Sequence, residues 1–193
     1  MVEFALVLPL LMVLLLGVAD FGRVFTAEIA TEAAARNGAE AAAQQLQQIL
    51  RNNPTPTAAD YAVIHRLALD EVCREAHVLP SYAVDGSGTC TMPITAVCVH
   101  DVSGGDAACG DGEAGVAVPV ACTGIFGWSD IADASNLAAP APAGESPLPY
   151  VEVRTCYQFT TLFNLQLQLP FGFNLSLGDI WMQRDRLFVV GNY

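Results

Sequence analysis

Three groups of side chains in this sequence have types and spacings that could do chemistry. The first is a carboxylate, Glu3, at the head of the run Phe4 to Ala19, which contains no charged or hydrogen-bonding side chain. An unpaired carboxylate beside lipid is costly, so a glutamate there calls for a cationic partner. Asp20 and Arg23 close the run, three apart on a helix and able to pair as an ion pair at a membrane interface. The second group is the cysteines Cys73, Cys90, Cys98, Cys109, Cys122 and Cys156, all beyond the apolar run. No C-x-x-C pair occurs among them, which argues against a zinc or redox motif. An even number following an apolar anchor predicts three disulfides in an oxidising compartment, with the pairing left open. The third group is the histidines His65, His77 and His100 and the acidic stretch around Asp101, Asp106, Asp111 and Glu113. Isolated surface histidines explain the first two. Cys98 and His100 share a strand face as ordinary strand composition would place them. The acidic stretch lacks EF-hand spacing and reads as a solvated loop.

No nucleophile elbow, P-loop, H-E-x-x-H or dinucleotide fingerprint is present, so the expectation is a non-enzyme without cofactor or metal. The balance of 8 basic against 20 acidic residues gives a net charge of −12, and all the basic residues are arginine. Such a chain has few cations with which to neutralise phosphates, so nucleic acid is excluded as a partner. Charged residues are 15% and hydrophobic ones 53%, which rules out a disordered acidic tail. The mean hydropathy of +0.40 owes much to the N-terminus.

The elements that must position these groups follow from periodicity. At roughly 1.5 Å per residue the uncharged run spans about 24 Å as a helix, and Val2 with the FGRVF stretch brings it to bilayer length. Residues 1–25 thus read as a transmembrane segment. Residues 24–53, rich in alanine, glutamate and glutamine, extend the same helix. Its apolar stripe runs Phe25, Ile29, Ala33, Ala39, Ala43, Leu46, Leu50. Asn37-Gly38 within it reads as a tolerated weak point. Arg36 and Glu40 read as a solvated surface pair. Asn52-Asn53-Pro54-Thr55-Pro56 ends the helix, and Thr57 with Asp60 predicts a capping box opening a second helix that runs to about His77.

Residues 54–193 form the extracytoplasmic α+β part. Two β-like runs, ITAVCVH and GVAVPVAC, flank the acidic loop, and a Pro/Ala-rich connector occupies 134–149. From Val151 to Leu177 apolar residues recur at odd positions, predicting an antiparallel sheet with one apolar face. Val153, Tyr157, Leu165, Leu167 and Phe173 are expected to be buried, and Gln166, Gln168 and Asn174 exposed. Pro170-Phe171-Gly172 and Gly178-Asp179 are natural bends in a meander or long hairpin finished by Ile180 to Val190. A one-sided sheet needs a cover, and the alanine-striped helix supplies it.

A signal peptide would want a basic residue ahead of the apolar run, and a plain single-pass anchor leaves Glu3 without a role. The segment Val2 to Arg23, with Val2-Glu3-Phe4, Pro9, the leucine run, Gly17 and Phe21-Gly22-Arg23, closely resembles the TadE-like family of tight-adherence (type IVb, Flp) pilus proteins. The alanine-rich stretch up to about Ala43 is similar as well. The resemblance implies a pilin-like fold, a long N-terminal transmembrane helix packed on an antiparallel sheet. It implies a membrane-anchored pseudopilin, with Glu3 as the pilin-type assembly carboxylate offsetting a neighbouring subunit's terminal amine. The implied partners are the lipid bilayer, other pilins or pseudopilins and the inner-membrane assembly platform, in homo- or hetero-oligomers. The implied location is the cytoplasmic membrane, with the C-terminal part outside. A filament subunit or secreted adhesive protein is the second reading. The family's processing glycine would stand ahead of Met1, so peptidase cleavage is not inferred.

Overall fold

The computed structural model describes residues 2–86, 88, 90–100, 106–110, 148–161, 165–169, 173–177 and 180–190. Helix α1, Val2–Asn52, is unbroken across 51 residues and is about 76 Å long at the standard rise. Alanine, leucine, glutamate and glutamine dominate it, so propensity and packing agree. After the Pro54 to Pro56 break, helix α2, Ala58–Ala76, starts at the Thr57 N-cap with its capping box formed. Thr57 N and Oγ1 each donate to Asp60 Oδ2 at 2.8 Å, and Asp60 N donates back to Thr57 Oγ1 at 3.4 Å.

Eight strands follow among the described residues. β1, Ala83–Val84, pairs antiparallel with β2, Cys90–Met92. β3, Ile94–His100, β4, Asp106–Gly110, β5, Tyr150–Phe159, and β8, Ile180–Val189, form a four-stranded antiparallel sheet in the order β4-β3-β5-β8. β6, Leu165–Leu169, and β7, Phe173–Leu177, pair with each other and, among the described residues, with no other strand. β5 and β8 run in unbroken register from Tyr150↔Val189 to Phe159↔Ile180, so the hairpin is spliced into the end of a longer one.

The core lies where α1 and α2 cross the odd-numbered face of β5. Val151, Val153, Tyr157 and Phe159 meet Ala34, Ala39, Ala42 and Leu46 of α1 and Ile64, Ala68 and Val72 of α2. The α+β expectation, a long helix on an antiparallel sheet, is what the structure shows. Tyr157 keeps its hydroxyl satisfied inside this core by accepting from Ser81 N at 2.8 Å.

Four expectations need correcting. The acidic stretch is not all loop, because Asp106–Gly110 pairs with Val97 to His100. β5 is not one-sided: Glu152 and Cys156, on its even-numbered face, are buried as well. Glu152 is paired there with Arg154 at 2.6 Å and Cys156 is in a disulfide, so neither is left unpartnered by its burial. The apolar stripe of α1 holds at Ala39, Ala43 and Leu46 but is rotated before them, with Phe25 and Ile29 exposed and Ala27, Thr31, Ala34 and Ala35 inside. Small residues are drawn to the packed side because they let the helices approach, which leaves the bulky ones outside.

Gly38 is the fourth correction. A Cβ there would stand 2.6 Å from Val72 Cγ2 and 3.1 Å from the Ala68 carbonyl oxygen, so the glycine is where α2 crosses α1. It is a requirement of the crossing rather than a weak point.

Val153 and Tyr157 are buried as expected. The burial of Leu165, Gln166, Leu167, Gln168, Phe173 and Asn174 lies outside the described residues, as do the GVAVPVAC run, both bends and the 134–147 connector.

Candidate functional site

The residues singled out at the start of the chain all sit on α1, which has two different halves. From Ala27 onward one side of the helix is buried against α2 and the sheet. Before that, the described apolar side chains from Val7 to Val18, and Phe21 beyond them, are exposed, Val18 and Phe21 at 71% and 70%. A contiguous apolar surface of this kind marks an interaction site in a folded protein. Among the described residues no helix is long and apolar enough to cross a membrane. What the structure shows is an exposed apolar helical stem. Glu3 belongs to the first turn of that stem.

A polar collar separates the two halves. Arg23 Nη1 lies 3.3 Å from Asp20 Oδ1, and the Arg23 guanidinium stacks over the buried Phe159 ring at 5.4 Å. The stack fixes the stem to the Phe159–Ile180 end of the sheet. Farther along α1, Arg184 of β8 pairs with Glu28 and, at 3.6 Å, with Glu32, while Arg186 also pairs with Glu32. Position along α1 from Arg23 to Glu32 thus tracks position along β8 from Ile180 to Arg186. The helix and the strand run side by side, and the sheet end bearing Phe159 is the one nearest the stem. The Asp20–Arg23 spacing was legible in the sequence; the Phe159 stack and the Glu28/Glu32–Arg184/Arg186 cluster were not, because both join residues more than a hundred positions apart.

The cysteines tie α2 and the strands together. Cys73 of α2 and Cys90 of β2 are disulfide-bonded, with Cα atoms 5.6 Å apart. Cys98 and Cys156 are each in a disulfide as well, but not with one another, since the β3–β5 register sets Cys98 opposite Glu152 and Cys156 opposite Ile94. Cys109 lies opposite Cys98 in the β3–β4 register, and Cys122 lies outside the described residues. A cleft of about 470 Å³ beside the Cys73–Cys90 bridge is lined by Asp70, Arg74, His77 and Tyr82. His77 Nδ1 contacts the Arg74 carbonyl oxygen. A second cleft, about 600 Å³, follows α1 past Phe25, Ile29 and Ala33. Neither pairs a nucleophile with a base, and among the described residues no group of three His, Cys, Asp or Glu side chains could hold a metal ion.

One clearly displaced titration is structural. Asp60 is held below the ordinary carboxylate range, first by the Thr57 backbone N–H and then by the Thr57 hydroxyl, both of which donate to it.

Comparison with known proteins gives one result at the same end of the chain. The family model described as TadE-like protein matches residues 1–40. No curated protein and no solved structure matches the chain. The matched residues take in the stem, the Asp20–Arg23 collar and the first buried turns of α1, and stop two residues past Gly38. Residues 1–40 of this chain are thus similar to the TadE-like family.

Proposed function

We propose that this protein is a membrane-anchored pseudopilin-like component of a tight-adherence pilus assembly. The observation that carries the reading is the coincidence of the TadE-like match with the exposed stem of α1. An apolar helix projecting from a packed domain has to be covered, and a bilayer or a bundle of like helices covers it. The uncharged stretch from Phe4 to Ala19 anchors the chain, and the Asp20–Arg23 pair sits where the helix leaves the hydrocarbon. The sheet and its disulfides then lie outside the cytoplasm, where oxidation is sustained. The role is structural rather than enzymatic. Assembly proceeds through the stem with other pilins, pseudopilins or copies of this chain at the inner-membrane platform.

Glu3 supplies the test. Within a helix bundle its carboxylate balances a cation of a neighbouring subunit, so Glu3→Ala and Glu3→Gln both leave that charge uncompensated. Both variants are expected to insert normally and to lose co-purification with pilus components. Wild-type co-purification and surface filaments in both variants would refute the assembly role of Glu3.

A further inference from the structure

We infer that the remaining cysteines are joined as Cys98–Cys109 and Cys122–Cys156. Cys73 and Cys90 are bonded to each other. Cys98 and Cys156 are each in a disulfide, so their partners come from the four cysteines that are left. Four cysteines allow three pairings, and strand register decides among them. A Cys98–Cys156 bond fails on distance. Cys98 stands opposite Glu152, four positions along β5 from Cys156. At roughly 3.3 Å per residue that is about 13 Å, and cysteines whose Cα atoms lie more than about 7 Å apart are not bridged. A Cys109–Cys156 bond fails by a wider margin. Cys109 stands opposite Cys98 on β4, and β3 lies between β4 and β5. Two strand spacings add about 10 Å across the sheet to the same offset along it, about 16 Å in all. Cys98 and Cys109, by contrast, are directly opposed, clear of the irregularity between Val99 and His100. Opposed Cα atoms of an antiparallel pair lie about 4.5–5.5 Å apart, within the span of a disulfide. Cys122 is then the partner left for Cys156.

The second bond says what the far face of the sheet holds. Val151, Val153, Tyr157 and Phe159 turn one face of β5 towards α1 and α2. Ile94, Ala96, Cys98 and Cys156 share the opposite face through the β3–β5 register, and all four are buried although none belongs to the helix-covered core. A bond from Cys156 to Cys122 ties the chain at Cys122 to that face. With Cys73–Cys90, the bridges join the cysteines in consecutive pairs, so each closes without another having to open. Each pair of thiols gives up two protons and two electrons. The electrons pass through a mixed disulfide to a disulfide-carrying thiol oxidase, which leaves as its dithiol. Placing that oxidase outside the cytoplasm rests on the membrane-anchored reading above; the pairing itself does not.

The test is a disulfide map of the full chain, purified without reductant and treated with N-ethylmaleimide in denaturant to block any free thiol. Cleavage after methionine by cyanogen bromide, after arginine by trypsin and before aspartate by an Asp-specific protease puts the four cysteines on separate peptides. These are 93–100 with Cys98, 106–110 with Cys109, 111–129 with Cys122 and 155–178 with Cys156. Mass spectrometry is expected to find 93–100 linked to 106–110 and 111–129 linked to 155–178, both links vanishing on reduction. A link from 93–100 to either 111–129 or 155–178 would overturn the pairing, as would N-ethylmaleimide on Cys109 or Cys122. A single variant gives an independent reading: Cys122→Ser should release the thiol of Cys156 to N-ethylmaleimide and leave the Cys98–Cys109 link intact. Release of Cys98 in its place would overturn the proposal. The map of the unsubstituted chain decides the matter even if Cys122→Ser fails to fold. It also leaves the anchored reading untouched, since a different pairing says nothing against the stem.

Discussion

Replacing Gly38 with alanine probes the point on which the α1–α2 crossing turns. In an exposed helix the change is worth about 1 kcal/mol of added stability, because glycine is the poorer helix former. Here the new methyl would meet Val72 Cγ2 at 2.6 Å and the Ala68 carbonyl oxygen at 3.1 Å. Val72 is buried and β-branched, so it cannot turn its methyl aside without a rotamer cost. The carbonyl belongs to the α2 backbone, so the second contact is relieved only by moving that helix. Overpacking of this kind costs about 1–3 kcal/mol. The sum is a net loss of about 1 kcal/mol, or roughly 2–4 °C in Tm for a chain of this size. Urea unfolding of the full chain in detergent, followed by circular dichroism, measures it as a fall in midpoint at constant slope. Repeating the substitution in a Val72→Ala background removes the 2.6 Å contact. There Gly38→Ala is expected to be neutral or to stabilise by up to about 1 kcal/mol. Equal stabilisation by Gly38→Ala in both backgrounds would show that the two helices do not meet at this glycine.

Other predictions follow from the bridge, the cap and the arginine cluster. Cys73→Ser with Cys90→Ser opens a loop of sequence separation 17 and should cost about 3 kcal/mol on chain-entropy grounds; an unchanged unfolding midpoint in the double variant would contradict this. Asp60 is held below its ordinary value, so its contribution to the start of α2 is fully present above about pH 4 and is lost as pH falls through the lowered value. The protection of the Thr57 amide, corrected for the intrinsic exchange rate at each pH, should therefore fall on acidification in the native chain but show no such step in Asp60→Asn. Glu28, Glu32, Arg184 and Arg186 are all partly exposed, so Glu32→Gln should cost no more than about 1 kcal/mol, and less at high salt. A loss several times larger, or one indifferent to salt, would mean that the cluster is shielded from solvent.

What was legible in the sequence was local. Helix formers, the Asn52-to-Pro56 break and the Thr57–Asp60 spacing are near-neighbour signals, and α1, α2 and the capping box lie where they point. Period-2 alternation likewise located β5 and marked Val153 and Tyr157 as core. The misses share a different cause. Gly38 reads as a flaw until α2 is laid across it, and alanines look like weak stripe members until close approach makes them the packed side. Phe25 and Ile29 carry the larger hydrophobicity and would lead any stripe drawn from the helix alone, yet both are exposed. β4 was hidden among aspartates and glycines because its pairing with β3 depends on a partner strand rather than on its own composition. At the candidate site, Glu3, Asp20 and Arg23 could be named from their positions around an uncharged run. The Phe159 ring under Arg23 could not, since only the folded sheet brings it there.

The central claim is that the exposed stem of α1 anchors the chain in a membrane with the sheet outside the cytoplasm. The most direct measurement is protease treatment of spheroplasts from bacteria expressing the chain with a tag after Tyr193. The chain should sediment with membranes, and the tag should be digested from outside without lysis, leaving a protected stem fragment. A chain that stays in the soluble fraction, or a tag that resists protease until the membrane is broken, would contradict it.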